Sequence, residues 1–143
     1  MSRTLAREAA FKALFQLEFN HGEVDERETF ENLAIETAID DSLNFGKLNK
    51  KNLQYIQDTV KNVRARVDEI DEVIKAHLRE DWALNRIAAV DRNILRLAVY
   101  ELKFAEEEVP IGVIINEAVN LAKRYGTDDS WRFVNGILDA IAN

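Results

Sequence analysis

An all-α fold is predicted for this chain by three observations. Apolar residues recur at three- and four-residue spacing along most of the sequence. One proline and five glycines are all that interrupt 143 residues, and no segment alternates apolar with polar as a half-buried strand would. Long helices with few breaks follow. A chain of this length suits one domain or two closely packed halves, and it buries roughly 68–70% of the surface exposed when unfolded, so packing alone can hold it. About seven helices in two packed groups are expected.

The first helix should run over residues 2–20 and end at His21 and Gly22. Leu5, Ala6, Ala9, Ala10, Ala13, Leu14 and Leu17 share one face, and the small alanines permit close helix approach. The second spans 25–39, with Phe30, Leu33, Ala34 and Ala38 inward and its acids outward as a solvated face. Phe45 and Gly46 lie in a polar connection. Beyond it Leu53, Ile56, Val60, Val63, Val67, Ile70 and Ile74 alternate spacings of three and four, a heptad pattern. Two readings fit this stretch: one helix over 50–78 in a coiled coil, or two helices that bend near 62–66, since neither proline nor glycine marks a break.

Asn85 can cap a helix through Phe104, with Ile87, Val90, Ile94, Leu95, Ala98 and Leu102 inward. Asp91 falls among them, and a buried carboxylate needs an arginine or a helix N-terminus beside it. Pro110 starts the next helix where proline is best tolerated. Ile111, Ile114, Ile115, Ala118, Ala122 and Tyr125 then repeat at helical spacing before Gly126. Thr127 can cap the last helix, Asp128 and Asp129 suit its positive end, and Val134, Ile137, Leu138 and Ile141 face inward.

Much chemistry is excluded at this level. With no cysteine there is no disulfide, thiolate metal site or cysteine nucleophile, and a reducing cytoplasm is the fitting compartment. No apolar run approaches the ~18–20 residues that span a bilayer, so no membrane association is expected. His21 and His77 belong to no metal-ligand spacing, and the isolated glycines build no phosphate-cradling loop, so neither metal nor cofactor is expected. Ser130 follows two aspartates but has no histidine base in reach of the pattern, and local hydrogen bonding at a helix start explains it. The function expected is therefore binding, not catalysis.

The net charge of −7 is misleading until mapped. Eight acids and one base lie between Glu23 and Asp41, which accounts for the whole imbalance, while Arg3, Arg7 and Lys12 stand against Glu8 alone in the first sixteen residues. At about 100° per residue from Arg3, the apolar face of the first helix centres near 295°. Arg7, Phe11, Phe15 and Lys12 fall at about 40°, 80°, 120° and 180°, on the other side. Cations that neutralise phosphate beside rings that stack on unpaired bases suit single-stranded RNA. The competing reading is that Phe11 and Phe15 pack against another helix. Lys123, Arg124 and Arg132 surround the 126–129 turn beside Phe133. There Asp129 can accept a hydrogen bond from a base amino group, or serve only as a helix-start acid.

The run Val90-Asp91-Arg92-Asn93-Ile94-Leu95-Arg96-Leu97-Ala98 continues to Tyr100-Glu101-Leu102. With it go Ile115-Asn116-Glu117-Ala118, Ala122-Lys123-Arg124-Tyr125-Gly126, Ser130 and Phe133-Val134-Asn135-Gly136-Ile137-Leu138-Asp139. Together with Ala6-Arg7-Glu8 and Ala13-Leu14-Phe15, these motifs resemble the NusB family of bacterial transcription antitermination factors. The resemblance covers essentially the whole chain. It implies a single NusB-like domain over residues 1–143, with an N-terminal bundle at about 2–62 and a C-terminal bundle at about 66–143. It also implies a function: pairing with NusE, a small-subunit ribosomal protein, to bind the boxA element of nascent ribosomal RNA, so that RNA polymerase in its antitermination complex reads through terminators.

By the family pattern the RNA contacts map to Arg3, Arg7, Lys12, Phe15, Asp129, Arg132 and Phe133. NusE docking on the C-terminal bundle directs attention to Glu72, Lys75, Arg79 and Arg86, chosen by exposed helical phase. Where some members carry a dense arginine cluster this chain has Thr4 and Leu5, and where some have tyrosine it has Phe15. Stacking survives that change but the hydroxyl contact does not, so RNA affinity should depend more on the protein partner. Relatives occur as monomers and dimers, which leaves a homodimer open, and a self-interface over Arg7 and Phe15 would block RNA. A helical protein–protein adaptor without RNA contact is the alternative, supported by the heptad stretch and the acidic second helix. NusB-like modules also occur fused to RNA cytosine methyltransferases, but 143 residues leave no length for a cofactor-binding α/β domain.

Overall fold

The computed structural model describes residues 2–79 and 82–143, apart from the side chain of Ser2. Seven α-helices and two single 3₁₀ turns make up the regular structure of these residues, and no strand occurs among them. The chain forms two compact units, one ending at Ala65 and the other running from Arg66 to Asn143.

The first unit holds α1 (Ser2–Phe19), a 3₁₀ turn (Val24–Glu26), α2 (Arg27–Ser42) and α3 (Lys50–Ala65). Helix α1 packs against both α2 and α3. Its alanines explain how: Ala6, Ala9, Ala10 and Ala13 are buried with Leu14 and Leu17, and small side chains let neighbouring backbones approach. Ala34, Ile35, Ala38, Ile56, Val60 and Val63 complete this core. Arg64 Nε donates to Glu31 Oε2 at 2.7 Å, a half-buried pair that ties α3 to α2.

Two details differ from the expected phase of α2. The helix begins two residues later and ends three residues later than the 25–39 span, and Leu33 is 56% exposed while Ile35 is buried. Gly22 ends the turn after α1 at φ 71°, and a Cβ there would lie 2.6 Å from the Phe30 ring. Glycine thus serves both the left-handed backbone and the close approach of Phe30.

The second unit holds α4 (Val67–Lys75), a 3₁₀ turn (Leu84–Arg86), α5 (Ala89–Lys103), α6 (Ile111–Tyr125) and α7 (Ser130–Ala142). Helix α5 is its centre, packed on α4, α6 and α7, and most of its residues from Asn93 to Glu101 are buried. Arg96 grips Asp71 bidentately, Nε to Oδ1 at 2.8 Å and a terminal nitrogen to Oδ2 at 2.9 Å, which fixes α4 on α5. Asn85 does not cap α5. It sits in the 3₁₀ turn, whose Leu84 carbonyl and the following Ile87 carbonyl accept from the Arg92 guanidinium, and the helix starts at Ala89. Asp91 lies in the first turn of α5, where the helix N-terminus favours a carboxylate.

The heptad stretch is two helices, and the one-helix reading is set aside. Arg66, at φ −109° and ψ 16°, leaves the helical region between α3 and α4. The charges around it match a stop and a restart. Arg64 sits in the last turn of α3, while Asp68 and Glu69 sit in the first turn of α4.

Candidate nucleic-acid interface

On α1 the charged and aromatic side chains are largely drawn into the fold. Because α1 has α2 on one flank and α3 on another, its buried arc extends past the apolar face to Arg7 and Phe11, which are 4% and 2% exposed. Arg3 Nε donates to Asn52 Oδ1 at 2.8 Å, and its guanidinium stands 4.2 Å above the Tyr55 ring of α3. The Arg7 guanidinium is 5.8 Å from the same ring, so one tyrosine faces both arginines. Lys12 pairs with Asp41 of α2 and lies 5.7 Å from the Phe45 ring. Phe11 therefore follows the packing reading.

What α1 leaves outward is an aromatic strip. Phe15 is half-buried, stands 6.2 Å from Phe11, and meets Phe19 edge-on at 5.2 Å. Phe19 is 67% exposed. With Thr4 and Gln16 also exposed, the outward stripe falls between about 100° and 220° on the wheel. Phe19 is absent from the sequence-based set, although its four-residue spacing from Phe15 announces the pair.

The second unit builds its cluster at the start of α7. The Thr127 amide donates to Ser130 Oγ at 2.9 Å, so Ser130, not Thr127, supplies the local hydrogen bond, and Asp129 occupies the cap position without a side-chain cap bond. A Cβ on Gly126 would lie 2.4 Å from that Oγ, so only glycine lets Ser130 fold back. Beyond the turn, Trp131 has Lys123 at 5.1 Å and Arg132 at 5.2 Å from its ring. Asp129 and Arg132 are both well exposed and face each other at 3.6 Å.

Phe133 stacks against Trp82 with centroids 6.1 Å apart and planes at 29°. Around that pair opens a cleft of about 330 Å³, walled by His77, Arg79 and Trp82 on one side and by Arg132, Phe133 and Gly136 on the other. Three of the sequence-predicted RNA residues, Asp129, Arg132 and Phe133, are thus neighbours on one edge of this unit. Trp82 and Trp131 were not foreseen in the site, because nothing in the local pattern says which face an isolated tryptophan takes.

Of the residues chosen for a protein partner, Glu72 and Lys75 are exposed and pair with each other at 3.5 Å. Arg86 is exposed in the 3₁₀ turn. Arg79 is exposed too, but it lines the cleft with Arg132 and Phe133. Among the described residues no group of three or more His, Asp or Glu is placed to hold a metal ion, and no helix is long and apolar enough to cross a membrane.

An all-helical chain whose distinctive surface features are exposed arginines beside accessible rings is a binding protein of the nucleic-acid-associated kind. Comparison with known proteins makes the class specific. Residues 4–143 match the NusB family. The chain is 43% identical to the transcription antitermination protein NusB of Bacillus subtilis over 141 residues, covering 99% of this chain and 95% of that protein. It is 41% identical to the NusB of Natranaerobius thermophilus over 143 residues, covering 100% and 96%. Among solved structures, NusB of T. maritima superposes with a TM-score of 0.82 at 43% identity, covering 98% of this chain and 89% of that one. A chain from a crystal structure of antitermination factors NusB and NusE in complex with double-stranded RNA superposes at 0.81 with 28% identity, covering 99% and 96%. The chain belongs to the NusB family, and is a transcription antitermination factor, not an enzyme.

Proposed function

We propose that this chain binds RNA jointly with a NusE-type ribosomal protein, that the RNA is a single-stranded boxA-like element of nascent ribosomal transcripts, and that the resulting complex on RNA polymerase favours read-through in the cytoplasm. Residues 1–143 act as one NusB-like domain. The observation that carries this reading is the clustering of Arg132, Phe133 and Asp129 at the start of α7, beside an open cleft. Arginine positions phosphate, a ring accepts a stacked base, and a carboxylate reads an exposed amino group. The NusB solved with NusE and RNA supports both partners.

On α1, Arg3, Lys12 and Phe15 make the corresponding contacts. Arg7 is buried and acts through its packing beside Tyr55. With part of the basic charge held inside the fold, RNA affinity alone is modest and the protein partner raises it by joint binding. Glu72, Lys75 and Arg86 are the residues offered to that partner. A homodimer that covers Phe15 competes with RNA.

The test is a titration of labelled boxA-like single strand, its scrambled counterpart and its duplex into the protein, with and without NusE, at several salt concentrations. Preference for the boxA-like strand and enhancement by NusE are expected. If neither appears, the reading fails, and salt-sensitive binding to NusE without RNA would establish the adaptor function instead.

A further inference from the structure

Arg79, which helical phase directs toward a protein partner, is exposed and lines the cleft with Arg132 and Phe133. Helix α4 ends at Lys75 and unwinds through tighter turns, with the His77 amide on the Ile74 carbonyl at 3.0 Å and the Leu78 amide on the Lys75 carbonyl at 3.2 Å. The Trp82 amide then closes a turn onto the Arg79 carbonyl at 2.9 Å. This folds Arg79 and Trp82 back over α7. His77 is held by its own helix, with Nδ1 donating to the Val73 carbonyl at 2.9 Å. Among the described residues, the lining of the cleft carries two arginines. Trp82 remains 46% exposed, an uncommon state for the largest apolar side chain unless something stacks on it.

We infer that this cleft is a nucleotide slot in which Trp82 is the stacking platform for one base, and Arg79 and Arg132 hold its flanking phosphates. The inference rests on the RNA-binding reading above. The 6.1 Å separation of Trp82 and Phe133 is that of two rings already in contact, so the base lies on the outer face of Trp82 and not between the rings. Phe133 backs the indole and fixes its orientation. The volume, near the small end of ligand clefts at roughly 300–1,000 Å³, admits one nucleotide and no folded element of a protein. Arg79 and Arg132 are both exposed in that lining and supply cations for phosphate.

Gly136 offers a test that removes no wall residue. A Cβ built there meets nothing within 4 Å, so Gly136→Leu fits α7 while its side chain fills the cleft. Labelled boxA-like single strand is titrated into wild type, Trp82→Ala, Trp82→Phe, Gly136→Leu and Arg79→Gln, with melting temperatures recorded alongside. Trp82→Ala and Gly136→Leu should each lose about tenfold in affinity with an unchanged salt slope, and Trp82→Phe should keep most of it. Arg79→Gln should flatten the slope by about 0.7, one phosphate on a single strand. In a Trp131→Phe background, where Trp82 is the remaining tryptophan of two, the RNA should quench the emission. Should Trp82→Ala and Gly136→Leu bind as wild type does while Phe133→Ala is impaired, the slot is wrong and RNA binding stands. Absence of RNA binding by wild type would remove both.

Discussion

The two units use the same residue types, arginine beside an aromatic ring, to different ends. On α1 the arginines look inward: Arg7 is buried, Arg3 bonds Asn52, and both face Tyr55 of α3. On α7 and the turn after α4 the arginines look outward: Arg132 is exposed, and Arg79 stands at the rim of a cleft beside Trp82 and Phe133. The difference follows from which side of each helix its neighbours cover. Helix α3 covers the arginine side of α1, whereas α7, although it packs against α4, α5 and α6, leaves Asp129 and Arg132 at its start exposed. A basic-aromatic pattern in sequence therefore does not distinguish a binding surface from an internal prop until the packing is known.

The largest expected effects test this contrast through stability. Arg7→Ala removes a buried side chain whose stem and guanidinium fill space beside Tyr55, and should cost about 2 kcal/mol. Arg132→Ala, exposed and in a surface pair, should stay within about 0.5 kcal/mol. Urea unfolding of the two variants decides it, and equal small changes would abolish the distinction. RNA affinity should order them the other way. At temperatures where both are folded, Arg132→Ala should flatten the salt dependence by about 0.7, and Arg7→Ala should leave the slope near that of wild type.

Next comes the ring. Phe133→Ala should weaken RNA binding by about tenfold, since it takes away both a stacking surface and the backing of Trp82, and the salt slope should not move. Phe15→Ala should lose less, roughly threefold, because part of that ring is occupied by Phe11 and Phe19. Titrations at several salt concentrations separate these outcomes, and a greater loss for Phe15 would shift the weight of the site to the first unit.

Sequence patterns revealed the helical class, the cores and the α7 cluster because each rests on local spacing. Val134, Leu138 and Ile141 are buried as their period demands, and Asp129, Arg132 and Phe133 are neighbours because one helical turn makes them so. The pattern leaves the break at Arg66 open, since no glycine or proline marks it. The charges of Arg64, Asp68 and Glu69 are as consistent with the middle of one helix as with a stop and a restart. Failures occurred where tertiary partners decide. Helical phase on a single wheel cannot show that α3 covers the arginine side of α1, nor that a turn beyond α4 swings Trp82 onto Phe133. Asn85 has the chemistry of a cap, but the Arg92 guanidinium satisfies the carbonyls at residues 84 and 87, and the helix begins at Ala89.

The smallest effect expected is also the one that probes how firmly the first unit withholds its charge. Lys12 is half-buried and paired with the more exposed Asp41, and Phe45 lies alongside. A surface pair of this kind contributes about 0–1 kcal/mol, so Asp41→Asn should shift the unfolding midpoint only slightly. It removes one partner of the lysine, however, and lowers the local negative charge. RNA affinity should rise by roughly twofold at low salt, and the salt slope should steepen by up to about 0.7 as one more phosphate is neutralised. Lys12→Ala in the same background should return the slope to its original value. If Asp41→Asn leaves both affinity and slope unchanged, Lys12 is a structural cation like Arg7, and the first unit contributes to RNA binding through its aromatic strip alone.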